Sequence, residues 1–141
     1  MLSRSKHLDH LASIPLFSAC SKRDLEKIAR ASSEIEVEAG RVLCEQGDTG
    51  REAFVIIEGK AGVKRNKRKI ATLAPGDAFG ELSLLDHGPR TASVEAETPM
   101  TLLVLSAREF TGVLDEVPGL NHKLLAVLAS RVRELDSKVF G

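Results

Sequence analysis

Glu81 and Arg90 stand nine positions apart in a stretch that reads Phe79-Gly80-Glu81-Leu82-Ser83-Leu84-Leu85 and then Pro89-Arg90-Thr91-Ala92-Ser93-Val94. An ionised glutamate only accepts hydrogen bonds, whereas an arginine only donates, through a planar fork that matches two oxygens of a phosphate. Gly80 permits close backbone approach, and a short helix opening at 81–83 would present N–H groups that have no partner in the helix, a terminus that attracts an anion. One compact turn holding both groups against a small ligand suits a ribose joined to a phosphate. Beside that phosphate Glu81 needs a hydroxyl donor, and in a nucleoside 3′,5′-cyclic phosphate the 2′-OH is the one ribose hydroxyl left. Pro89 fixes its own φ and turns Gly88 away from helix, which predicts a helix end ahead of Arg90 and a strand from Thr91. The plain alternative is an Arg90–Glu81 ion pair at a strand end, with no ligand.

With both halves at this spacing, the stretch resembles the phosphate-binding cassette of the cyclic nucleotide-binding domain family, found in regulatory subunits of protein kinase A, cyclic-nucleotide-gated channels and catabolite-activator-type regulators. The resemblance runs over residues 8–139, with glycine corners at Gly47-Asp48, Gly59 and Pro75-Gly76-Asp77 where the family turns between strands. It implies that Glu81 takes the ribose 2′-OH and Arg90 the cyclic phosphate, assisted by backbone N–H groups near Leu82 and Ser83. Phe79, Gly80, Thr91 and Ala92 complete the ligand-binding set so implied. The ligand implied is cyclic AMP, the commoner one in the family, with cyclic GMP as the alternative, since the Thr91 hydroxyl also suits a guanine amino group. In the family the last helix folds over the base when the cassette tightens. Leu124, Leu128 and Arg131 are the lid candidates here, the arginine able to stack on or hydrogen-bond to a purine.

The elements that must position these groups fall into three blocks. Leu8, Leu11 and Ala12 mark a short helix over 4–12, and Ser21 opens a second one with Asp24 as its capping-box partner and Leu25, Ile28 and Ala29 as its buried stripe. From 34 to 106 the period becomes two. Ile35 and Val37 alternate with glutamates, Val42 and Cys44 follow, and Ala53-Phe54-Val55-Ile56-Ile57 reads as a buried strand, with further strands at 60–65, 69–73, 91–96 and 100–105. Glycine and proline punctuation predicts an antiparallel jelly-roll β-barrel, interrupted by the short cassette helix within 79–94. Residues 107–141 return to helix. A short helix at 107–114 is broken by Glu116-Val117-Pro118-Gly119, and a long one follows over 120–139. Its Leu125, Leu128, Val132, Leu135 and Val139 repeat at steps of three and four, either a coiled-coil seam or a stripe packed on its own barrel. The fold class expected is mainly β with flanking helices, in a single domain over 1–141.

Composition bounds the function further. A chain of 141 residues with 43% hydrophobic residues and only five large aromatics, all Phe, builds an aliphatic core. Twenty basic and twenty acidic residues cancel, which argues against general nucleic-acid binding. Cys20 and Cys44 are too few and too far apart for a disulfide scaffold or a C-x-x-C site, and read as small buried hydrophobes. His7 and His10 lack a carboxylate cluster to complete a metal site, and neither a nucleophile elbow nor a phosphate-loop lysine motif is present, so no metal, cofactor or catalysis is expected. The basic run Lys64-Arg65-Asn66-Lys67-Arg68-Lys69 reads as a solvated hairpin tip, or else as a dock for an acidic partner or membrane surface.

No apolar run reaches the roughly 18–20 residues of a membrane span, so a cytoplasmic protein is expected. The DNA-binding domain, inhibitory segment and membrane spans that accompany the domain in the family have no counterpart in these residues. The expectation is a stand-alone sensor whose output passes to a separate effector protein or through a homodimer built on the C-terminal helix. The alternative is a protein-interaction module that kept the scaffold and lost the ligand.

Overall fold

Ala53 through Ile57 are buried at five consecutive positions, and since successive strand side chains point to opposite faces, such a strand must be covered on both sides. The computed structural model, which describes residues 4–14, 17–80 and 88–140, supplies both covers. In chain order it contains helices α1 (Arg4–Ala12) and α2 (Lys22–Ala31) and strands β1 (Ser33–Val37), β2 (Val42–Cys44), β3 (Glu52–Glu58), β4 (Ala61–Arg65), β5 (Arg68–Leu73), β6 (Ala78–Phe79), β7 (Ser93–Ala96) and β8 (Met100–Ser106). Helices α3 (Ala107–Glu116) and α4 (Leu120–Phe140) follow.

The strands form two four-stranded antiparallel sheets, ordered β1-β8-β3-β6 and β2-β7-β4-β5. Phe54 and Ile56 of β3 face the second sheet and share a core with Val37, Cys44, Ala61, Phe79, Val94, Ala96, Met100 and Leu102. Ala53, Val55 and Ile57 face the other way, into a core built with Leu11, Phe17, Leu25, Ile28, Phe110, Leu120 and Leu124 of the helical layer. The result is three layers, helices on a sheet and that sheet on another, with β3 in the middle. Ile56 and Leu102 have no exposed surface, and truncating either to Ala costs about 2–5 kcal/mol at such sites.

Local signals explain the helix boundaries. Ser21 Oγ accepts from Asp24 N at 3.1 Å and Ser21 N donates to Asp24 Oδ2 at 3.0 Å, the expected capping box at the start of α2. Ser106 caps α3 through Glu109 N, and α3 runs to Glu116, two residues beyond the break expected after 114. Strand β7 starts at Ser93, not at Thr91. Arg90 is instead paired through its backbone with the loop after β2, Arg90 N donating to Asp48 O at 2.7 Å and Gly47 N to Arg90 O at 2.9 Å. The turn between β4 and β5 is Asn66-Lys67, both at positive φ (52° and 68°), the left-handed pair that a tight two-residue hairpin requires.

Candidate functional site

Arg90 lies at a cavity of about 460 Å3 whose lining includes Phe79, Gly80, Thr91 and Ala92. Its guanidinium is set by the backbone around it: Arg90 Nη2 donates to Glu52 O at 2.9 Å, at the start of β3. Gly80 has φ +78°, and a Cβ there would meet Arg90 Nη1 and lie 2.9 Å from Glu52 O. The glycine expected to admit a ligand therefore admits the arginine first. Any side chain at 80 would displace the guanidinium and strain the backbone as well. Phe79 is fixed from behind by Phe54, ring centroids 4.9 Å apart and nearly parallel at 15°.

The floor of the cavity is apolar. Val63 and Ala71 stand directly opposite each other across β4 and β5, and with Leu73, Ala78 and Val94 they line the wall. Cys44 contributes a buried thiol to the same wall. Burial pushes its pKa up, with the Arg90 charge opposing the shift and the Glu52 charge adding to it, so the thiol is protonated at neutral pH and behaves as a small apolar contact. A pocket that is mostly apolar, with a few cations at its edge, has the make-up of a small-ligand site, and 460 Å3 falls in the usual range of roughly 300–1,000 Å3.

Sequence reasoning brought Phe79, Gly80, Arg90, Thr91 and Ala92 to one place, and all five line this cavity. Glu81, Leu82 and Ser83, with the short helix expected over them, lie outside the described residues. Sequence reasoning missed Cys44 on β2 and also Val63, Arg65, Ala71 and Leu73, for which alternation on β4 and β5 was the available signal. The lid candidates sit elsewhere in this arrangement. Leu124 is buried in the helical core and Leu128 packs against it, while Arg131 is exposed and lines a separate hollow with Ser18, Ser130 and Glu134. None of the three lines the cavity beside Arg90.

Helix α4 is anchored at its start and bare further on. Leu120 and Leu124 are buried, whereas Leu125, Val132, Leu135 and Val139 are 63–71% exposed. Among the described residues, Leu128 is the only one of the five positions of the expected seam that packs on the chain's own core. No helix among the described residues is long and apolar enough to cross a membrane.

Comparison with known proteins finds relatives of the same fold. Residues 34–117 match the profile of the cyclic nucleotide-binding domain. The chain is 32% identical over 127 residues to the cyclic AMP receptor protein of Thermus thermophilus, covering 86% of this chain and 59% of that protein, so it spans about three fifths of that relative's length. Among solved structures, the N-terminal domain of a transcriptional regulator from Streptomyces coelicolor superposes with a TM-score of 0.85 at 32% identity, over 92% of this chain and 96% of that one. The regulatory domain of Toxoplasma gondii PKA, crystallised with cAMP, superposes with a TM-score of 0.73 at 28% identity, over 78% of this chain and 44% of that one.

Proposed function

The chain belongs to the cyclic nucleotide-binding domain family, and on that premise we propose that it is a cyclic nucleotide sensor, with cyclic AMP as its leading ligand. The observation that carries the reading is the Arg90 guanidinium, buttressed by Glu52 O and by the missing side chain of Gly80 at the edge of an apolar cavity of ligand size. In this reading the cyclic phosphate lies on Arg90, backbone N–H groups at Leu82 and Ser83 assist, Glu81 accepts from the ribose 2′-OH, and the base rests toward Val63, Ala71 and Leu73. The chain's role is regulatory and not catalytic. It acts in the cytoplasm.

The signal leaves through α4. Ligand draws the cassette toward Arg90, Phe79 carries the shift to Phe54 and β3, and the helical layer on the far face of β3 responds. Leu124, Leu128 and Arg131 reach the base only if α4 is remodelled from the arrangement described above, and the ligand can drive that only by its preference for the closed state. The bare stripe of Leu125, Val132, Leu135 and Val139 supports an output through a second copy of the chain or a separate effector.

Calorimetry with cyclic AMP on the wild type and on Arg90→Ala tests the core of this reading. Binding by the wild type and a loss of roughly 2–5 kcal/mol in the variant is expected. Equal heats from both proteins, or none from the wild type, overturn it.

A further inference from the structure

We infer that Arg65 is the residue that reads the base, and that it adapts the cavity to guanine, so that cyclic GMP is a ligand alongside cyclic AMP. The inference rests on the sensor reading above and names the specificity of the same site.

The basic run at the β4–β5 hairpin divides by direction. Lys64 pairs with Glu95 at 3.7 Å and Lys69 with Glu97 at 2.7 Å, two ion pairs at the surface. Arg65 lines the cavity instead, on the same side of β4 as Val63. Its Nε donates to Thr91 O at 3.2 Å, the carbonyl of the residue that follows Arg90. Among the described residues no other hydrogen bond or ion pair engages this guanidinium. Nε is therefore satisfied, and the exposed side chain keeps its two Nη groups as donors at the edge of the cavity.

The hairpin that carries Arg65 is not a loose tip. Asn66 N donates to Gln46 Oε1 at 2.8 Å and Gln46 Nε2 donates to Asn66 Oδ1 at 2.9 Å. Gln46 N in turn donates to Ser93 Oγ at 2.9 Å. The turn is thereby stapled to the loop after β2 and to β7, beside the segment that holds Arg90. A long side chain on a fixed hairpin, already bound through one nitrogen, gives up less freedom on meeting a ligand.

The two arginines divide the ligand between them. Arg90 sits against Gly80 and Glu52 O and suits the phosphate, whereas Arg65 borders the apolar face of Val63, Ala71 and Leu73, a surface for a flat ring. Guanine presents O6 and N7 as two adjacent acceptors, the pattern that an arginine fork matches in a bidentate way. Adenine puts an N6 donor where guanine has O6, so it offers the fork only N7. Arg65 thus favours guanine, and adenine binds through the floor and the shared sugar–phosphate.

Calorimetric titration of the wild type, Arg65→Ala, Arg65→Lys and Arg68→Ala with cyclic AMP and with cyclic GMP tests the assignment. The wild type is expected to bind both. Arg65→Ala is expected to lose roughly 5- to 150-fold in affinity for cyclic GMP and less than about threefold for cyclic AMP, the spread that one bidentate guanine contact provides. Arg65→Lys recovers only part of the loss, and Arg68→Ala, an exposed cation on the neighbouring strand, leaves the ratio of the two ligands where it was. Equal losses for both nucleotides, an unchanged ratio in Arg65→Ala, the same effect from Arg68→Ala, or a wild type that binds cyclic AMP alone overturns the role of Arg65. Failure of the wild type to bind either nucleotide overturns the sensor reading itself, and with it this role.

Discussion

Lys123 Nζ donates to Asp24 Oδ2 at 2.7 Å, joining the first turn of α4 to the first turn of α2 across 99 positions of sequence. Asp24 is only 7% exposed and also closes the Ser21 capping box, so one carboxylate both starts α2 and holds the helix proposed to move. Breaking the tie by Lys123→Met leaves the capping box intact. The variant is expected to unfold at a lower temperature than the wild type and to show a larger gain in midpoint on adding cyclic AMP, because closure no longer works against the tie. An equal gain in both proteins would separate the pair from the switch. Ser21→Ala, which removes only the cap, is expected to cost about 1 kcal/mol in urea unfolding.

The same pair makes stability depend on pH at both ends. Asp24 is held below its ordinary 3.8, first by the hydrogen bond from Lys123, with burial opposing. A depressed carboxylate contributes stability that is present above its unfolded value and is lost as pH falls through the lower, folded value. Lys123 is raised above its ordinary 10.5, chiefly by the hydrogen bond to Asp24, so its contribution is present below that value and is lost as pH rises through the raised one. Urea unfolding of the wild type and Asp24→Asn should show a gap that is constant near neutral pH and closes below about pH 4. A gap that persists there would mean that the ionised carboxylate is not what stabilises.

Gly80 supports the cavity through its lack of a side chain. Gly80→Ala places a methyl against Arg90 Nη1 at a backbone φ of +78°, so the guanidinium must leave Glu52 O. The variant is expected to lose most of its affinity for cyclic AMP while its far-ultraviolet circular dichroism stays that of the wild type. Affinity within a factor of about two of the wild type would show that the guanidinium tolerates displacement.

The exposed stripe on α4 predicts association. Light scattering on the wild type should report a mass that rises with added cyclic AMP, and Val132→Glu or Leu135→Glu should abolish the rise by burying a charge in the seam. A constant monomer across all samples would exclude self-association as the output.

Much of the fold was legible because its signals are local. The Ser21–Asp24 box, the buried run of β3 and the break before α4 each lie within a few residues of their cause. The hairpin tip was placed correctly, yet its geometry was not, since no glycine marks the positive φ of Asn66 and Lys67. At the site, Gly80 and Arg90 were readable from their spacing. Cys44, Val63, Arg65 and Leu73 were not, because β2 and the β4–β5 hairpin come together only once β2 and β4 pair with β7 over long separations. The stripe on α4 gave the helix its faces without naming the neighbour of each, and Leu124, read as a lid candidate, lies in the helical core.

Strand β3 carries odd-numbered residues into the helical core and even-numbered ones into the space between the sheets. Parity along those few positions thus assigns each side chain to its compartment. Deleting one residue there would exchange the two sets, pushing Phe54 among the helices and Val55 between the sheets. Length is consequently fixed in this segment far more tightly than identity: conservative swaps such as Ile for Val are survivable, whereas a single-codon deletion turns the molecule inside out.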